Sequence, residues 1–312
     1  MLFVFGVIAP VFILVALGYS AVRFGLYPKA GVGGLIAFVN NFATPCLLFR
    51  AMYEVDFTET FRASTLLPFY IGAFACGALG IVAARTLFHR RPGESIVSGF
   101  SAYFSNTVLV GIPIIERAYG GAALTTAFAI ISIHAAVLFT TGMIAMELAR
   151  RDGAPLGATL LRAVRSLVSN PILWGVFLGV LGNLSGFEMP KLVDDTTALL
   201  AIAVVPAALF GLGGALTDYK IVENWQEAVV VSAIKLIVHP AIAFVLMVPI
   251  LGVPHDIAKV VVLLAAMPAG INTYIFATYY NRHTGMAANS VLITTVAGFL
   301  TISFWLWLLT LP

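Results

Sequence analysis

Apolar runs about the length of a bilayer crossing, separated by short polar punctuation, fill this chain from end to end. A spanning helix needs about 20 predominantly apolar residues. On that measure spans are expected at about 2–21, 31–52, 65–87, 95–118, 121–148, 169–187, 192–216, 227–251, 256–279 and 289–311. The connections carry turn and charge signals, among them His89-Arg90-Arg91-Pro92-Gly93, Arg150-Arg151-Asp152-Gly153 and Asn281-Arg282-His283. The first run, Leu2 to Ala21, lacks a basic leader and exceeds a signal-peptide core in length, so it counts as a span.

The pattern repeats. At a shift of 161 residues Pro10 falls on Pro171, Gly18 on Gly179, Gly25 on Gly186, Pro45 on Pro206, Leu48 on Leu209 and Phe49 on Phe210. At a shift of 166, Asn106-Thr107 falls on Asn272-Thr273. Five crossings in each half make the second copy enter from the opposite side, the inverted repeat of secondary transporters. The expected fold is therefore all-α and integral to the membrane: ten helices as two inverted five-helix repeats, 1–148 and 169–312, joined by a connecting loop at 149–168.

Composition agrees. The chain is 61% hydrophobic and 10% charged, with a mean hydropathy of +1.01, far from the roughly 45–50% apolar and 25% charged of soluble domains. Ten spans leave no room for a separate soluble domain. The net charge of +3 is dispersed, with no basic run dense enough to follow a phosphate backbone, so nucleic acid is not an expected partner. Cys46 and Cys76 lie in apolar segments and read as core thiols, with no metal or cofactor implied. Loops after odd-numbered spans hold eleven Lys and Arg (Arg23, Lys29, Arg85, Arg90, Arg91, Arg150, Arg151, Arg162, Arg165, Lys220, Arg282), and those after even-numbered spans hold four (Arg62, Arg117, Lys191, Lys259). The positive-inside bias then puts the odd loops in the cytoplasm and both termini outside. Arg50 and Lys235 are expected to snorkel from helix ends.

Chemistry concentrates in spans four and nine. Phe104-Ser105-Asn106-Thr107, followed by Gly111 and Pro113, and Met267-Pro268-Ala269-Gly270-Ile271-Asn272-Thr273 each put helix breakers beside an amide at mid-membrane depth. Proline removes a backbone hydrogen bond and clashes with the preceding turn. Opened backbone survives in hydrocarbon only where it is buried in protein or lines a wet cavity, so a broken helix implies a site. The half-helices starting there direct N–H groups and about half a positive charge forward, and Asn side chains supply further donors. Asn and Thr also join helices in ordinary bundles; it is the symmetric pair that points to an anion site. Candidate substrate ligands are Ser105, Asn106, Thr107, Gly270, Asn272 and Thr273, with Asn41, Thr44 and Asn170 as outlying polar points. Asn170 ahead of Pro171 also reads as a helix N-cap. Helix breaks are expected at Gly111, Pro113, Pro268, Pro45 and Pro206. Intramembrane ionisable groups are functional candidates because burying them is expensive: Glu116 and His134 for proton or cation coupling, with Glu147, Asp194, Asp195 and His239 nearer span ends or kinks. No catalytic motif is present, so an enzyme is not expected.

The string Asn106-Thr107-Val108-Leu109-Val110-Gly111-Ile112-Pro113 with Ala118-Tyr119-Gly120 resembles the fourth span of the auxin efflux carrier family. Ala265 to Ile271 with Tyr280-Asn281 resembles its ninth, and Pro45-x-x-Leu48-Phe49, Asn170-Pro171 and Phe210 to Gly213 its second, sixth and seventh. The resemblance implies a ten-helix elevator carrier, often a homodimer, with a scaffold of spans 1, 2, 6 and 7 and a transport domain of spans 3–5 and 8–10. Its substrates would be small organic anions, auxin in plants and carboxylates such as malonate or malate in bacteria, with H+ or Na+ as a candidate coupling ion. The short central connection resembles bacterial members, hence a plasma (bacterial inner) membrane protein. Ser105 and Thr273 stand where the plant pattern has prolines, which puts auxin itself in doubt. A sodium-coupled carrier of the bile-acid type and a transport-dead membrane sensor are the alternative readings.

Overall fold

The computed structural model describes residues 2–55, 61–150, 161, 164–165, 168–186, 188–219 and 224–311. Most of the 149–168 connection, with Arg151 and Arg162, and also Lys220 lie outside the described residues. The described residues form helices α1 (Leu2–Arg23), α2 (Lys29–Glu54), α3 (Ala63–Thr86) and α4 (Pro92–Tyr103). Next come α5, a π turn over Thr107–Gly111 continued by Ile112–Tyr119, and α6 (Leu124–Arg150). The second half holds α7 (Pro171–Ser185), α8 (Lys191–Leu216), α9 (Trp225–Ile250), α10 (His255–Ala265), α11 (Asn272–Tyr279) and α12 (Thr284–Leu308).

Seven of these, α1, α2, α3, α6, α8, α9 and α12, are long and apolar enough to cross a membrane, and α7 is a shorter apolar helix. The rest are two pairs of half-helices, α4 with α5 and α10 with α11. Large apolar side chains such as Phe5, Ile13, Leu199 and Leu300 stay exposed along them. That is the condition of helices whose outer face meets lipid and whose inner face meets protein, both apolar.

At three positions proline is absorbed in the same way. A π turn over Val39–Ala43 precedes Pro45, the turn over Thr107–Gly111 precedes Pro113, and one over Ile234–Val238 precedes Pro240. In each case the residue after the π turn bonds back five residues, Thr44 to Val39, Ile112 to Thr107 and His239 to Ile234. Widening the turn relieves the clash of the ring with the carbonyl four residues earlier. For Pro240 that carbonyl belongs to Leu236, and the Trp305 indole N–H bonds it at 3.0 Å. Pro45 and Pro113 thus deform their helices without opening them, which corrects the expected breaks at Pro45, Gly111 and Pro113. Pro206 likewise follows only a one-residue irregularity at Ala203.

Packing divides the helices into two sets. In one, α1 lies along the second half of α8, and α7 along the second half of α2. The contacts are reciprocal: a Cβ on Gly18 would sit 2.0 Å from the Phe210 carbonyl oxygen, and one on Gly179 2.4 Å from that of Phe49. Gly18 and Gly179, and Phe49 and Phe210, are the pairs matched at a shift of 161. Gly25 and Gly186, another matched pair, both hold positive φ just beyond their helices. In the other set α3 packs on α4, α9 on α3, α10 and α12, and α6 on α4. Contacts between the sets are sparser, chiefly α1 with α5 and α12, and α8 with α5.

One charged residue is corrected by the fold. Lys235 is fully buried near the middle of α9 and does not snorkel. Arg50 bonds the Asp194 carboxylate and backbone carbonyl and Thr197 Oγ1, joining α2 to α8.

Candidate functional site

The first interrupted helix opens at Phe104, where the backbone turns extended (φ −79°, ψ 105°), and resumes after Asn106. The second opens at Ala266 and resumes at Asn272. The two openings lie side by side and antiparallel, with Ser105 opposite Ala269. Asn106 N–H donates to the Pro268 carbonyl at 2.8 Å, and Gly270 N–H to the Phe104 carbonyl at 3.1 Å. Each break therefore satisfies backbone groups left over by the other, which is how non-helical backbone persists at this depth. Pro268 lies inside the second break. Gly270 packs against the partner strand: a Cβ there would lie 3.3 Å from the Phe104 ring and 3.6 Å from Asn106 Cα.

Beside this crossing is a recess of about 60 Å³, lined by Ser105, Asn106, Thr107, Gly270, Asn272, His134 and Asn40 among others. It adjoins a vestibule of about 480 Å³ that shares Asn40, Ala135, Ile172 and Asn272 with it. Asn41, Ser169, Asn170, Phe139, Met143, Ile275, Phe276, Tyr279 and Tyr280 also line the vestibule. Among the described residues no Asp, Glu, Lys or Arg lines either space.

Three buried polar atoms at the recess have no hydrogen-bond partner among the described residues: Ser105 Oγ, Asn106 Nδ2 and His134 Nδ1. Asn106 is held in place at both ends, its N–H by Pro268 and its Oδ1 by the Leu109 N–H at 3.2 Å, which makes it the N-cap of α5. Its amide nitrogen is left over. His134 Nε2 donates to the Ser105 carbonyl at 3.2 Å, which leaves Nδ1 as an acceptor in the neutral ring, while its ring meets Phe104 edge to face at 4.8 Å. α5 and α11 both begin at this recess, each with a partial positive end. The N–H groups of Thr107, Leu109, Thr273 and Tyr274 are taken up by Ser105 O, Asn106 Oδ1, Gly270 O and Ile271 O, which leaves the side-chain groups above as donors at the recess.

Of the other candidates, Asn41 and Asn170 reach the vestibule, and Asn170 also caps α7 by accepting from Ile172 N–H at 3.0 Å. Asn170→Ala is expected to cost about 1 kcal/mol of stability, read as a small drop in melting midpoint. Thr273 and Thr44 are fully buried and line neither space; their Oγ1 atoms have no partner among the described residues. Glu116 is exposed near the end of α5 and lies outside both spaces. Among the described residues no three His, Cys, Asp or Glu side chains cluster to hold a metal, and Cys46 and Cys76 are free thiols. The site selection missed Asn40 and the apolar wall. Ala135, next to His134 in the chain, and then Phe139 and Met143 recur at four-residue spacing along α6, a stripe readable once His134 is placed at the recess.

Apolar helices enclosing two interrupted rods that cross at a polar recess define a membrane transporter. The chain belongs to the membrane transport protein family, which it matches over residues 3–306. It is 27% identical to a Rhizobium meliloti protein named "Putative malonate transporter", over 97% of this chain and 95% of that one. It is 25% identical to the "Uncharacterized transporter YfdV" of Escherichia coli, over 98% and 97%. With "Auxin efflux carrier component 8" of Arabidopsis thaliana it shares 22% identity over 91% of each. The relatives are transporters, so the chain is a transporter and not an enzyme.

Proposed function

We propose that this transporter carries small organic anions, carboxylates of the malonate, malate or auxin-like kind, and that the recess at the crossing holds the carboxylate. The observation that carries the reading is the set of unsatisfied groups there, Asn106 Nδ2 and Ser105 Oγ, between two helix N-termini with no acidic side chain among the described residues of the lining. A carboxylate supplies acceptors for both donors, and the dipoles favour its charge. The apolar and aromatic vestibule receives the rest of the molecule. The names of the relatives, a malonate transporter and an auxin efflux carrier, support this class.

The reading extends to the mechanism. Counting each interrupted pair as one crossing and adding α7 gives ten, five per half. The reciprocal glycine contacts support two inverted repeats. The sparse contacts between the two packing sets support an elevator, in which α1, α2, α7 and α8 stand as scaffold and the set holding the crossing slides past them. Thr273 stays with the crossing as a second-half counterpart of Thr107, Pro206 as that of Pro45, and His134 joins the site as an acceptor or proton carrier. Glu116 keeps a role only at the outer interface. The protein would lie in the bacterial inner membrane as a homodimer with both termini outside, following the Lys and Arg bias.

The test is uptake of radiolabelled malonate, malate and indole-3-acetate into proteoliposomes. Losing one hydrogen bond to a charged group is worth about 1.5–3 kcal/mol, so Asn106→Ala and Asn272→Ala are each expected to lower transport efficiency roughly 10- to 100-fold. Wild-type uptake in both variants contradicts the assignment.

A further inference from the structure

Lys235 is the charged group this mechanism leaves unused. It lies in the π turn at the middle of α9, with none of its surface exposed. Among the described residues it forms no ion pair with Asp or Glu. A lysine at this depth is expensive and marks function by default. Its Nζ donates to the carbonyl of Ala265 at 2.7 Å and to His239 Nδ1 at 3.2 Å. His239 Nε2 in turn donates to the Phe69 carbonyl at 3.0 Å, which fixes the tautomer that lets Nδ1 accept.

Ala265 is the last residue of α10. Its carbonyl would normally accept from the N–H four residues on, but that N–H, on Ala269, is diverted to Thr294 Oγ1 at 3.0 Å. Lys235 takes the vacated acceptor. The C-terminal end of a helix carries about half a negative charge, and in broken-helix carriers such ends coordinate the coupling cation. The surroundings are otherwise uncharged: the Phe69 ring lies tilted against His239 at 4.9 Å and edge-on to His134 at 5.6 Å, and Cys76 Sγ donates to the Ile234 carbonyl at 3.8 Å.

We infer that Lys235 is a tethered cation for the crossing: its ammonium holds the C-terminal end of α10, where a carrier of this design otherwise binds a transported cation, so no sodium ion binds there. It is a positioning residue, acting on the anion site through the backbone of the break. The inference rests on the anion-site reading above for its purpose, but not for its test.

That test is the melting of the purified full-length protein in sodium chloride against choline chloride, with no acid added. Wild type is expected to melt at the same temperature in both. Lys235→Ala is expected to melt about 5 °C or more lower, and to recover in a concentration-dependent way with propylammonium or sodium but not with choline. A merely structural lysine gives no such selective rescue. Stabilisation of wild type by sodium over choline, or a folded Lys235→Ala that no cation restores, overturns the inference. If Lys235→Ala does not fold, the wild-type comparison decides alone. Failure of the anion reading would appear separately, as absent acid uptake with an unchanged response to sodium.

Discussion

Gly213→Ala is expected to be among the most damaging single-methyl additions to this chain. A Cβ at Gly213 would lie 1.9 Å from the Val15 carbonyl oxygen and 2.8 Å from the Tyr19 nitrogen. These are backbone atoms of α1 and cannot rotate aside. α1 and α8 must separate, losing the close approach that small residues allow between helices in lipid, where no hydrophobic force holds them. Overpacking a flexible core costs about 1–3 kcal/mol; against rigid backbone the loss should reach about 3 kcal/mol or more, a midpoint drop of roughly 5–10 °C. Gly18→Ala, facing the Phe210 carbonyl at 2.0 Å, should match it. Gly33, with nothing within 4 Å of its Cβ direction, is the control; alanine there should be neutral or stabilising by up to about 1 kcal/mol. Melting of the detergent-purified variants checks all three, and a Gly213→Ala protein as stable as wild type contradicts the packing.

Glu227→Ala should be comparably destabilising for a different reason. The Glu227 carboxylate is 1% exposed and accepts from Arg90 Nε at 2.7 Å, Ser98 Oγ at 2.7 Å and His283 Nε2 at 2.9 Å. Arg90 also bonds Asn224. One side chain thus ties the start of α9 to α4, to the segment after α3 and to the residue capping α12. Removing one partner of a buried charged pair strands the other, at about 3–5 kcal/mol. Glu227→Gln, which keeps the shape and one acceptor, should lose less. Melting midpoints in the order wild type, Gln, Ala are the expected result; equal midpoints for all three remove the cluster from the account.

The sequence exposed what depends on local pattern. Apolar run length marked the helices, and proline and glycine beside Asn106 and Asn272 marked the interrupted rods, because breakers and amides are rare at mid-membrane depth. The matched register of Gly18 with Gly179 already carried the reciprocal packing. What stayed hidden depends on partners distant in the chain. The first break falls at Phe104–Asn106 and not at Gly111–Pro113 because it is set by pairing with Pro268 and Gly270, some 160 residues on. Lys235 read as an end-of-helix lysine because its acceptor, Ala265, becomes free only when the next helix breaks. Glu227 gives no sign of its role in the sequence, because its three partners come from three other segments. Asn272 and Thr273 were read together, yet neighbours on a helix point about 100° apart, and only Asn272 faces the cavity.

Whether the crossing attracts and holds an anion is best decided by thiol labelling of Ser105→Cys in a chain with Cys46 and Cys76 replaced. An anionic methanethiosulfonate and a cationic one of similar size would be compared, with and without a saturating transported acid. Faster labelling by the anionic reagent and strong protection by the acid are the results the account predicts. Preference for the cationic reagent, with a rate the acid does not change, would contradict it.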